Sequence, residues 1–121
     1  MPPRRRINPT DGAQAVQRFT AGERERQVTA LAVRYSLEEL AVRHPGRSVE
    51  VRVPPYGAVQ CLDGPVHRRG TPPNTVETDA ETWLGLATGA LTWAQAVDAG
   101  RIRWSGTRAE IADLLPLLPA G

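Results

Sequence analysis

The residues that could do chemistry in this 121-residue chain are few. Cys61 stands six positions before His67, across a stretch that reads as a turn, and a thiol beside an imidazole can form a nucleophile with its base. No elbow motif surrounds Cys61, however, and its neighbours Val59 and Leu62 are apolar, so it reads as a small buried hydrophobe. One cysteine and two histidines, His44 and His67, lie at no recognised metal-ligand spacing. His44 falls at a helix end, next to the last carbonyls. Glu38 with Glu39, and Asp79 with Glu81, are paired carboxylates. They fall on a wet helix face and at a helix start, where solvent or the helix dipole accounts for them. No glycine-rich phosphate loop is present. The residues give no catalytic set, no metal site and no cofactor.

Two features remain. His67, Arg68 and Arg69 form a cationic cluster between glycine and proline residues. Such a cluster can hold a carboxylate or phosphate head group, or it can be a solvated turn that keeps nearby strand edges soluble. Trp83, Trp93 and Trp104 fall in three successive elements among Leu84, Leu91, Val97 and Ile102. They either form the core of a small domain or line an apolar gap between helices and a sheet.

The totals limit what can carry these features. The length suits one domain with a small core. With 40% hydrophobic and 23% charged residues the composition is globular. No apolar run reaches the roughly 20 residues of a bilayer span. The arginine-rich start has no apolar segment after it, which is not a secretory signal. With one cysteine, this implies a cytoplasmic protein with no stable membrane insertion. All fifteen basic residues are arginine. Residues 1–47 carry a net +4 and residues 48–121 a net −2. That imbalance, with no stacking aromatics near Arg4, Arg5 and Arg6, argues against nucleic acid as a partner.

The elements follow from periodicity. Residues 1–22 read as a flexible basic arm with a possible short helix over Ala13–Phe19; residues 23–121 read as the folded domain. Glu23–Arg43 has Ala30, Val33, Leu37, Leu40 and Ala41 at helical spacing, with Glu38, Glu39 and Arg34 on the wetter side. It ends at His44, before Pro45 and Gly46. Val49, Val51 and Val53 alternate with Glu50 and Arg52 as in a half-buried strand, and Ala58–Leu62 makes a hairpin with it. Thr75–Thr78 is a third strand. Thr78 with Glu81, Thr92 with Gln95, and Thr107 with Glu110 each match a capping box. They predict helices over about Asp79–Ala87 and Trp93–Ala99, and another through Leu115. Arg101–Ser105 is a fourth strand, with Ile102 and Trp104 facing one way.

The run Gly89-Ala90-Leu91, Ala96, Gly100-Arg101-Ile102, Gly106 and Leu114-Leu115 resembles the C-terminal signature of the sterol carrier protein superfamily. The upstream stretch VEVRVPPYGAVQCLDGP…TPPNTVETDAETWLGLATG is similar to its bacterial branch, and the resemblance covers about residues 28–118. It implies an α+β fold, a small twisted, mainly antiparallel sheet covered on one face by helices. It implies non-catalytic binding of a lipid, sterol or other apolar ligand in a tunnel between the layers, without metal or nucleotide. Gly89, Gly100 and Gly106 then occupy turns, and Leu91, Ala96 and Ile102 the tunnel wall. The expected ligand site is Trp83, Leu84, Leu91, Trp93, Val97, Ile102 and Trp104, with Arg68 and Arg69 at its mouth. The rival reading is a protein-interaction or oligomerisation module with a filled core, for which a homodimer is one form.

Overall fold

The computed structural model describes residues 5–64, 74–106 and 111–118. Helix α1 (Pro9–Thr20) is followed by α2 (Arg26–Arg43), β1 (Val49–Val53), β2 (Gly57–Cys61) and β3 (Asn74–Glu77). Then come α3 (Ala80–Thr88), α4 (Trp93–Asp98), β4 (Arg103–Ser105) and a single 3₁₀ turn at Ala112–Leu114. The strands form one open sheet in the order β2-β1-β3-β4. β1 pairs antiparallel with β2 and parallel with β3, and β3 pairs antiparallel with β4. The fold is α+β, with a mixed sheet in which two of three pairings are antiparallel.

Alternation along β1 sets the layers. Val49, Val51 and Val53 are fully buried, while Arg52 is exposed and Glu50 half-buried. The register carries one row across the sheet from Val59 through Val51 and Val76 to Trp104. Directly paired residues share a face, so this row belongs to the face against the helices. The neighbouring row, Gln60, Glu50, Thr75 and Ser105, is polar.

α2 is the centre of the helical layer. Its buried residues include Val28, Ala32, Val33, Tyr35, Leu37 and Leu40, which lie around most of its circumference. α1 covers the side away from the sheet, burying Ala15, Val16 and Phe19 in the same core. This corrects the placement of Glu39 on a wet face. Glu39 is 3% exposed and pairs with Arg43 at 2.9 Å and with Arg5. Helical spacing alone does not reveal a second helix packing on the first. α1 is also longer than the periodicity predicts. Asn8 accepts hydrogen bonds from the backbone N–H groups of Thr10 and Asp11, and Pro9 opens the helix. Asn before Pro is a helix-start signal in its own right.

Gly12 permits the α1–α2 contact. A Cβ there would lie 2.2 Å from the Tyr35 ring. Gly12→Ala is expected to destabilise the protein by about 1–3 kcal/mol through overpacking, despite alanine's better helix propensity; urea unfolding measures it. Arg24 ties the α1–α2 connection to α3. Its Nε donates to Glu81 at 2.6 Å, its Nη1 to the Phe19 carbonyl at 2.6 Å, and its guanidinium lies 3.7 Å from the Phe19 ring centre.

α3 and α4 begin as the capping patterns predict, with one shift. Thr92 and Gln95 form the reciprocal capping box of α4. At α3 the cap is Asp79, not Thr78: its carboxylate accepts from Thr82 N–H at 2.8 Å. Thr78 instead donates to the Arg101 carbonyl. α3 ends at Gly89, in the left-handed conformation at φ 85°. β4 starts at Arg103, two residues later than predicted. Thr107 and Glu110 lie outside the described residues. Beyond them only the 3₁₀ turn forms, because Leu115 precedes Pro116 and takes an extended conformation.

Candidate functional site

The three tryptophans do not converge. Trp83 is completely buried, and its indole Nε1–H donates to Ser36 Oγ on α2 at 2.8 Å. Ser36 Oγ lies 2.9 Å from both the Ala32 and Val33 carbonyls, to which its own proton is directed. The indole is thus satisfied within the core, where an unpaired N–H would be costly. Leu84 and Ile102 are buried in the same cluster. Trp104 stands at the other extreme, 52% exposed on the edge strand β4. It extends the Val59–Val51–Val76 row, yet it is left open to solvent. Leu91, Trp93 and Val97 are half-buried.

Leu91 and Trp93 do come together, in a groove between α3, α4 and the segment 111–118. Its volume is about 380 Å³, and Leu86, Leu91, Trp93, Leu115 and Pro116 supply its main apolar surface. Its construction follows from the sequence. The Gly89 turn reverses the chain after α3, and Leu91 N–H bonds back to the Gly85 carbonyl at 3.0 Å. The opposite wall is tied down at Ala87, whose carbonyl accepts from both Leu117 and Leu118 N–H at 2.9 Å. Leu117 and Leu118 are buried, which anchors the segment carrying Leu115 and Pro116. Val97 and Trp104 are not among the lining residues of this groove, nor are the core residues Trp83, Leu84 and Ile102.

A second, larger cleft of about 600 Å³ lies between α2 and β2. Leu37, Ala41, Val42 and Val59 are among its apolar lining, with Ile7 at one end and Arg6, Arg34 and Glu38 among its polar groups. Glu38 holds the N-terminal segment of residues 5–7 here, accepting from Arg6 N–H at 3.0 Å and Ile7 N–H at 3.2 Å. No single stretch of the sequence marks this cleft. Its signal is distributed: Arg34 and Glu38 are one helical turn apart on α2, and Tyr56 closes the Pro54–Pro55 turn. Arg68 and Arg69, expected at a ligand mouth, lie outside the described residues, as does His67.

Cys61 is buried with Val49 and Val51. Desolvation pushes its thiol up to about 12 from an ordinary value of 9.0. A neutral thiol of this kind is a poor nucleophile. The shift also predicts a pH dependence. In the unfolded chain Cys61 ionises near pH 9, but in the native protein not until about pH 12. Between these values the unfolded state binds fewer protons. Stability is therefore fully present below pH 9 and falls as pH rises through the window, by up to about 1.4 kcal/mol per pH unit. Urea unfolding at pH 7 and pH 10 is expected to show a smaller loss for Cys61→Ala than for the parent chain. Among the described residues, no group of three His, Cys, Asp or Glu side chains is placed to hold a metal ion, and no helix is long and apolar enough to cross a membrane.

Comparison with known families gives a match. The model described as "Bacterial SCP ortholog" covers residues 25–117, from the start of α2 through the C-terminal segment, including both grooves apart from their contacts with Arg6 and Ile7. α1 lies outside it. No curated protein matches the chain.

Proposed function

We propose, for a chain that belongs to the bacterial SCP (sterol carrier protein) family, that it binds an apolar ligand of lipid type in the groove between α3, α4 and the C-terminal segment. Lipid binding is the general expectation for this family, which is one of carriers rather than catalysts. The observation that carries the reading is the pairing of Leu91 and Trp93 against Leu115 and Pro116 in an apolar groove of about 380 Å³. That volume is in the range of small-molecule sites, roughly 300–1,000 Å³. Trp83, Leu84 and Ile102 then act as the packed floor behind the site and not as ligand contacts. Trp104 and Val97 have no direct role in it. Arg68 and Arg69, outside the described residues, are proposed to meet an anionic head group. A cytoplasmic location belongs to the same proposal and rests on the single free, buried Cys61.

Titration with a fluorescent polyene fatty acid, read by energy transfer from tryptophan, tests this. Saturable binding is expected in the parent chain, with an affinity loss of roughly tenfold or more in Leu91→Asp, since the variant places a charge in the groove. Unchanged affinity in a folded Leu91→Asp protein would remove the groove from consideration.

A second reading, a protein-interaction module without a ligand, is favoured by Trp104. A half-exposed tryptophan on an edge strand is a common anchor for a partner surface.

A further inference from the structure

The cleft beside β2 has a feature that lipid binding in the other groove does not use. Tyr56, Gly57, Ala58 and Val59 line it without a break. Successive strand residues point to opposite faces. An unbroken run of this kind brings the β2 backbone itself to the cleft, and not only the side chains of one face. Among the described residues β2 pairs with β1 alone. Its sequence, GAVQC, contains no charge and no proline, the usual devices that blunt an edge strand. α2 supplies the facing wall through Leu37 and Ala41.

The charges point to an occupant. Arg34 Nε donates to the Tyr56 carbonyl at 2.9 Å, which holds the guanidinium at the start of the strand. Among the described residues neither Arg34 nor Arg6 makes an ion pair. Glu38, the one acid lining the cleft, is occupied by two backbone N–H groups. An apolar floor, a strand edge with no second partner among the described residues, and two arginines against a single glutamate together match the requirements of strand addition. In that mode main-chain bonds give affinity and alternate side chains give specificity.

We infer that this cleft binds an extended polypeptide segment of a partner protein as an added strand on β2. Apolar side chains at alternate positions enter the floor, and an acidic side chain pairs with Arg34 and Arg6. The inference is independent of the lipid reading, because it concerns a different cleft.

Labelled peptides of alternating valine and threonine, about ten residues long, test it by fluorescence anisotropy with the full chain. One ends in two aspartates and one in two arginines. Two further copies of the acidic peptide are N-methylated on one or the other alternate set of backbone nitrogens. The acidic peptide is expected to bind, about tenfold more weakly to Arg34→Ala or Arg6→Ala. One methylated copy should lose binding and the other keep it, because an added strand uses only one edge. Amide exchange over Gly57–Cys61 should slow on binding. Equal behaviour of the two methylated copies would overturn the inference, as would equal affinity for the basic peptide or unchanged exchange in β2. A dimer of the chain that protects β2 and excludes the acidic peptide would also overturn it, and would assign the edge to self-pairing.

Discussion

Trp83→Ala is expected to destabilise the protein by about 3–5 kcal/mol, the usual range for deleting a large buried aromatic side chain. The indole is fully buried and joins α3 to α2 through Ser36. Packing and the hydrogen bond can be separated. Ser36→Ala strands the indole N–H in the core, at a cost of about 1–3 kcal/mol. Trp83→Phe removes the donor and leaves the Ser36 hydroxyl its own helix carbonyls. The Ser36→Ala/Trp83→Phe double variant should therefore be more stable than the sum of the two single losses predicts. Chemical unfolding of the four proteins measures that coupling. If Trp83 instead lined a ligand tunnel, Trp83→Ala would alter ligand affinity with little loss of stability.

Gly46→Ala has the second large expected effect. A Cβ at Gly46 would lie 1.9 Å from the Leu62 carbonyl oxygen and 2.0 Å from its carbon, and Gly46 has φ 152°. The obstacle is backbone, so no rotamer change relieves it. Leu62 is itself held in place. It donates to the His44 carbonyl at 2.8 Å, accepts from Ser48 N–H at 3.0 Å, and has a positive φ of 63°. The turn from α2 into β1 therefore packs directly on the chain leaving β2. The clash and the strained backbone should together cost about 3 kcal/mol or more, lowering Tm by about 10–15 °C. Gly22→Ala is the control. Gly22 also has a positive φ, 109°, but nothing lies within 4 Å of its added Cβ. It should lose only about 1 kcal/mol.

These two residues show what a single sequence reveals and what it hides. The helix–helix–strand order around Gly89 and Gly100 was legible because caps and glycines act locally. Thr92 needs only Gln95 three residues on, and Gly89 only its own φ. The β1–β2 hairpin was legible for the same reason, from alternation on either side of Pro54 and Pro55. Gly46 looked like an ordinary helix stop, because its contact with Leu62 spans sixteen residues. Glu39 looked wet, because the segment that pairs with it through Arg5 lies more than thirty residues earlier in the chain. The tryptophans were found, but their separate fates depend on layer packing: one core, one groove wall, one exposed edge. The cleft at β2 depends on three elements meeting, and no local pattern announces it.

Native mass spectrometry of the chain, purified gently from its own host, decides whether the groove holds a lipid. A bound lipid mass is expected on the parent protein and not on Leu91→Asp prepared in the same way, with both proteins folded. A clean ligand-free mass for the parent chain, together with no saturable uptake of the fluorescent fatty acid, would contradict it.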